Sequence, residues 1–385
     1  MFKKIISLFV SYSLICSAML CVTANSDEFT FTKVDKLPQP DTINYSHNEK
    51  VMFIIEVEGE PLLSDNTIAT FGGDFLQSRV KKMMTEEILA NQAEIVDNIQ
   101  EEIPEISEPD YVYTALFNGF AIEGERSDEE KLLNIPGVKN VYIAGEIEAT
   151  PKLTDSIGLS HALPEEISDY TGEGQAIAVI DNEFDCSHEM FSQAPQNPKY
   201  TREDIENLLP SLSIKSKATV DTVYKSEKIP FAFNYISGNG KTYSSTLCHG
   251  THVAGIAAGN NGKGLTGVAP NAQLVLMKVA KANGGMPEYA LLQALNDAAL
   301  LGVCAINCSF GIDYTSASTV SSAWQTSVNN AKTAGIYISA AASNSAKGFY
   351  GDEVLTENID GQVLAFFLVL HSSPWASLFS GSTEL

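Results

Sequence analysis

Basic residues are scarce in this chain. There are 24 Lys and Arg against 48 Asp and Glu in 385 residues, a formal net charge of −24. So acidic a surface repels phosphate backbones and anionic lipid headgroups, which excludes nucleic acid or an anionic membrane as the main partner. Cysteine is also sparse: of six, Cys16 and Cys21 fall in the first 24 residues, leaving Cys186, Cys248, Cys304 and Cys308. Four thiols permit two disulfides in three connectivities, or a zinc site. A chain of this size needs no staples and the spacing fits no zinc finger, so free or buried thiols are favoured. Apolar runs long enough to span a bilayer are missing after the first segment. The longest late run, Val363 to Leu370, has eight residues, so no membrane span is expected in the mature chain. Internal repeats are lacking too.

What is present begins with a secretory leader. Lys3 and Lys4 precede the apolar stretch Ile5 to Val22, and Val22-Thr23-Ala24 fits a small-residue cleavage site. A membrane anchor is the alternative; serines at 7, 11, 13 and 17 and the acidic flank Asp27-Glu28 argue against it. The chain divides into a signal peptide at 1–24, a polar linker at 25–49, a first module at 50–146, a second at 152–360 and an atypical tail at 361–385. In the first module VMFIIEV (51–57) reads as a buried strand. Leu76, Val80, Met84, Ile88, Ile95 and Ile99 form a helical stripe that stops before Pro104. Tyr111 to Phe117 is β-rich, and Asn118-Gly119 marks a turn. Ser127 and Glu130 suggest a capping box for a short helix through Leu133, and Val138 to Ile143 closes a β-α-β-β-α-β order, the split βαβ arrangement.

After Pro151 the pattern changes to apolar runs alternating with helical stretches. The runs are 176–180, 273–279, 302–309 and 336–342, and Ala290 to Leu301 is the clearest helix. This predicts an α/β fold, a doubly wound parallel sheet with working residues at the carboxyl ends of its strands. Asp181, Ser309 and Asn344 fall at such ends. Residues 191–245 read as a polar surface insertion beside the cleft. The sharpest signal is the string His249-Gly-Thr-His252-Val-Ala-Gly-Ile-Ala-Ala-Gly259. A histidine at a helix start is held neutral by the helix dipole, as a general base requires. Two histidines three apart are equally a core pair or a metal pair when met in isolation.

That string resembles the catalytic-histidine motif of subtilisin-like serine peptidases. AIAVIDNEFD (176–185) resembles the family's aspartate motif, with Asn182-Glu183 where Thr-Gly is usual. The resemblance implies that Asp181 orients the histidine, His249 is the general base and His252 is structural. It also implies that His188 is noncatalytic, that Ser309-Phe310-Gly311 pairs with substrate backbone, and that Asn344 donates to the oxyanion. KIPFAFNYIS (228–237) resembles the cell-envelope proteinase branch. The segments YTALFNGFAIEG and LLNIPGVKNVYIAGE resemble subtilisin-type propeptides, a ferredoxin-like α+β unit that occupies the cleft of its own enzyme.

The family's Gly-Thr-Ser-Met-Ala-like serine string does not occur after Asn344. Ser382, in Gly381-Ser382-Thr383, has no helix to open. After Lys347 there is no Lys or Arg, and Val363–Leu370 with the Trp375 stretch is foreign to the family, as a frame change near 360 would make it; a variant C-terminus is the alternative. The expected function is a secreted or cell-envelope serine endopeptidase precursor acting on polypeptides, with the serine absent from this chain. A noncatalytic peptide-binding or inhibitor-like protein, or a broken gene product, is the alternative. No cofactor is assigned. Members of the family often bind calcium, but the sequence offers no ligand cluster to name.

Overall fold

The computed structural model describes residues 49–71, 79–148, 170–244, 249–310 and 321–340. The first module starts with β1 (Lys50–Val57), α1 (Asp65–Phe71) and the long α2 (Arg79–Glu102), then the pair β2 (Tyr111–Tyr113) and β3 (Gly119–Glu125). A 3-10 turn at 126–128 leads to α3 (Glu129–Leu133), β4 (Val138–Ile143) and the short β5 (Glu146–Glu148). Four strands form one antiparallel sheet in the order β2-β3-β1-β4, the order of the split βαβ arrangement.

β1 reads as a continuous apolar run because both of its faces are covered. Phe53, Ile55 and Val57 pack with Ile95, Val96 and Ile99 of α2, while Ile54 on the opposite face joins a core shared with the second module. Two local expectations shift. The α2 stripe is buried only from Ile88 onward, and Val80 is exposed. The capping interaction sits two residues early: Asp128 accepts the Glu125 N–H at 3.0 Å, in place of the expected pair Ser127 and Glu130. Leu76 lies outside the described residues.

The second module contains β6 (Ala176–Asp181), α4 (Arg202–Leu208), α5 (Val220–Val223), β7 (Phe231–Asn234), α6 (His249–Ala258), β8 (Gln273–Lys278), β9 (Gly285–Pro287), α7 (Glu288–Leu301), β10 (Ala305–Cys308), α8 (Ser322–Thr333) and β11 (Tyr337–Ala340). Its sheet is wholly parallel, ordered β11-β10-β6-β8-β7. Strand residues alternate between two cores. Val179, Leu274, Leu276 and Ala232 meet Val253 and Ala254 of α6. Ile180, Val275, Met277 and Phe233 lie on the side of α7 and α8, with Leu291 and Trp324. The chain leaves β6 toward β7 and β8 on one side and returns to β10 and β11 on the other. The carboxyl end of β6 therefore sits where the winding reverses, the usual place for a site in an open α/β sheet.

The polar insertion needs correcting. Segment 191–245 is not a surface excursion: it supplies β7 to the central sheet, and Phe231, Ala232 and Phe233 are all buried, as are Ile205, Leu212 and Ile214. A short, fully buried strand between charged turns is lost in the average composition of a long window. Among the described residues, Cys186, Cys304 and Cys308 are free thiols, and no helix is long and apolar enough to cross a membrane.

The modules meet along one strand and one helix. β5 pairs antiparallel with β9, in register Glu146↔Pro287, Ile147↔Met286 and Glu148↔Gly285. Asn296 of α7 accepts the Thr114 and Ala115 N–H groups on its side-chain oxygen at 2.9 and 2.7 Å. Tyr113 donates to the Tyr289 carbonyl at 3.0 Å. The last described residues of this part of the chain, 146–148, lie on the neighbour's strand edge.

Candidate active site

Asp181 ends β6 and is fully buried; His249 opens α6. The His249 Nδ1 lies 2.9 Å from one carboxylate oxygen of Asp181 and 3.1 Å from the other. Burial drives the imidazole toward its neutral form. The adjacent Asp181 charge and the hydrogen bond to it act in the opposite direction and win, so His249 binds its proton more tightly than an ordinary histidine. The direction is opposite to the one expected from the helix start, and its cause is the Asp181 carboxylate. His252, one turn on, is pushed below its ordinary value by burial and by His249. His188 accepts the Met190 N–H at 3.2 Å and lies edge-on to Phe191, which makes it a turn cap.

The two residues after the aspartate tie the site together. Asn182 gives its N–H to Asp181 Oδ1 at 2.7 Å, and its side-chain oxygen accepts the Glu183 N–H at 2.5 Å and the Gly250 N–H at 3.2 Å. The last contact fastens the first turn of α6, beside the histidine. Glu183 fastens the segment before it, accepting the Ser244 N–H at 3.1 Å and the Ser244 hydroxyl at 2.5 Å. Its carboxylate also meets Lys278 Nζ at 2.8 Å, in a pair with little exposure on either side. Burial raises the Glu183 pKa, but the hydrogen bonds from Lys278 and Ser244 outweigh it and hold the group ionised below the ordinary carboxylate value. Position 250 must be glycine: a Cβ there would fall 2.6 Å from the Glu183 carbonyl oxygen and 2.9 Å from the Asp181 Cβ.

Of the other expected residues, Ser309 follows β10 and accepts the Asn307 side-chain N–H at 2.8 Å. The Phe310 ring is buried against Trp324, with centroids 6.4 Å apart, so its side chain belongs to the core. Gly311, Asn344, Cys248 and Ser382 lie outside the described residues. Among the described residues, no group of three or more His, Cys, Asp or Glu gathers as metal ligands would. Sequence reasoning missed two features. The turn-forming string Asn283-Gly284-Gly285 gives no sign that Gly285-Met286-Pro287 is a strand edge holding another chain segment. The Glu183–Lys278 pair joins residues 95 apart, and nothing in the sequence links them.

The Subtilase family, Peptidase_S8, matches residues 172–363. The chain is 28% identical over 298 residues to the PII-type proteinase of Lacticaseibacillus paracasei, covering 74% of this chain and 14% of that protein. The PIII-type proteinase of Lactococcus lactis subsp. cremoris strain SK11 matches with the same figures. The C5a peptidase of Streptococcus pyogenes serotype M6 is 34% identical over 185 residues, 43% of this chain and 15% of that protein. The chain thus spans about one seventh of the length of the curated relatives it matches.

Proposed function

Residues 172–363 belong to the subtilase family, in its cell-envelope proteinase branch, and from that premise we propose that this chain is the precursor of a secreted serine endopeptidase whose first module is its inhibitory propeptide. The observation that carries the reading is the two-oxygen contact between Asp181 and His249 Nδ1. A carboxylate there fixes the tautomer with its proton on Nδ1, which leaves Nε2 unprotonated to take a proton from an attacking hydroxyl. As that proton arrives, Asp181 stabilises the imidazolium. Asn344 would donate to the developing oxyanion, and the backbone at Ser309, Phe310 and Gly311 would pair with substrate.

The first module supports its assigned role by where it ends. Its last described residues lie as an antiparallel strand on β9, the way an extended peptide adds to an exposed edge. No serine is assigned as nucleophile, and acyl transfer needs one within reach of the base. Purified residues 25–385 are therefore expected not to react with a fluorophosphonate probe and not to cut themselves near 149–152, as read by intact mass after a day at neutral pH. Stoichiometric labelling of any serine would contradict this, and Ser382 would be the first to replace. A serine string encoded beyond codon 360 in another frame would favour this reading over a noncatalytic peptide-binding protein.

A further inference from the structure

Backbone pairing on a strand edge is blind to sequence, so any preference must come from what the edge offers to side chains. Here it offers two different things. Ile147 lies opposite Met286, and both are buried in the core shared by the two modules. Glu146, one residue earlier, turns its carboxylate toward the tight turn that precedes β9. In that turn Lys281 donates its N–H to the Gly285 carbonyl at 2.8 Å, and Asn283 accepts the Gly285 N–H at 3.1 Å. Lys281 Nζ is thereby held against Glu146 Oε2, with which it forms an ion pair.

The space for that carboxylate is made by a missing side chain. A Cβ at position 285 would fall 1.7 Å from Glu146 Oε1 and 2.6 Å from its Cδ, so an alanine there would oblige the Glu146 carboxylate to swing away from this position. At the amino end of the segment, Glu288 N donates to the Gly145 carbonyl at 3.0 Å, and Gly145 N donates to the Glu288 carboxylate at 3.2 Å. The strand is thus gripped through its backbone, while a glycine slot backed by a lysine receives one side chain and a buried apolar position receives the next. In a protein of net charge −24, which repels acidic peptides at long range, a cation at this point acts against the overall field.

We propose that Lys281 and Gly285 are specificity-determining residues that make this edge prefer extended polypeptide segments carrying an acidic residue followed by an aliphatic one. This rests on the proposed propeptide reading, under which the segment lying on β9 stands in for an extended substrate. The first module's Glu146-Ile147 is then a resident copy of the preferred sequence.

The test uses the chain from residue 25 with Glu146→Pro, Ile147→Pro and Glu148→Pro, which removes the segment's backbone donors and its seated side chains and so frees the edge for an added peptide. Fluorescent pentapeptides Gly-Glu-Ile-Glu-Ala and Gly-Lys-Ile-Lys-Ala are titrated into it by anisotropy at low ionic strength. The acidic peptide is expected to bind about five-fold more tightly, the scale of one partly exposed ion pair. Lys281→Glu should reverse the order, and Gly285→Ala should remove the acidic peptide's advantage. Equal affinities, or no reversal in Lys281→Glu, would overturn the preference and leave β9 as the edge. Binding of neither peptide would overturn both. A second measurement keeps the tail intact: amide exchange at 146–148 should speed up in Lys281→Glu and return to the parent rate in Lys281→Glu/Glu146→Lys. Failure of that rescue counts equally against the proposal.

Discussion

At the scale of residues, the departure from the family pattern after the aspartate is a fastening rather than a defect. Asn182 and Glu183 stand where Thr-Gly is usual, and between them they hold both sides of the histidine-bearing segment, at Ser244 and at Gly250. Asn182→Ala leaves the Gly250 and Glu183 N–H groups without their acceptor. It should cost about 1–3 kcal/mol in urea unfolding of residues 25–385. Glu183→Ala should cost more, about 3–5 kcal/mol, because Lys278 is left buried and unpaired. The double change Glu183→Leu/Lys278→Met should be milder than Glu183→Ala alone. If it is the more damaging, the pair is not isolated in the way described. Asp181 and His249 were legible in the sequence because their motifs are short and contiguous. The Glu183–Lys278 contact was not, because the sheet, rather than the local sequence, brings β6 and β8 side by side.

At the scale of elements, α7 carries the main contradiction between composition and role. It reads as an alanine- and leucine-rich core helix, yet Glu288, Gln293, Asn296 and Asp297 are all buried along it. Asn296 holds the first module, and Asp297 holds segment 200–235, accepting from the Ser213 N–H and hydroxyl at 2.8 Å each and from the Tyr235 hydroxyl at 3.1 Å. Burial pushes the Asp297 carboxyl up to about 6 from its ordinary 3.8, and these hydrogen bonds only partly offset it. The folded protein therefore binds this proton more tightly than the unfolded chain. The resulting stability is present below about pH 4 and is lost as pH rises through about 6. Asp297→Asn should flatten the stability profile across that window by an amount on the order of 2–3 kcal/mol. An unchanged slope in the variant would show that other groups dominate. The strand β7 teaches the converse lesson about legibility. Its Phe-Ala-Phe core was in plain view at 231–233 but was averaged away within a polar stretch, and the sheet pairing to β8 is what identifies it.

At the scale of the whole molecule, two sheets that were readable separately from their apolar periods share one core. Ile54, Tyr111, Tyr113 and Ala121 of the first belong with Met286, Leu291 and Leu295 of the second. Their division into two modules followed from the change of pattern after Pro151. Their joint surface could not be read from either, since Tyr111 and Tyr113 look like ordinary strand residues until Tyr289 is beside them. The module at 50–146, expressed alone and shown to be folded, is expected to inhibit an active subtilase at micromolar concentration. No inhibition would remove the propeptide role. The account stands or falls on the couple at the end of β6, and the most direct measurement is a nuclear magnetic resonance titration of His249 in residues 25–385. In the parent chain its imidazole should titrate above the ordinary value of 6.5. In Asp181→Ala, where only burial remains, it should titrate below that value. A His249 that titrates below 6.5 in the parent, or whose titration is unmoved by Asp181→Ala, would contradict the assignment of this pair as the aspartate and base of a serine peptidase.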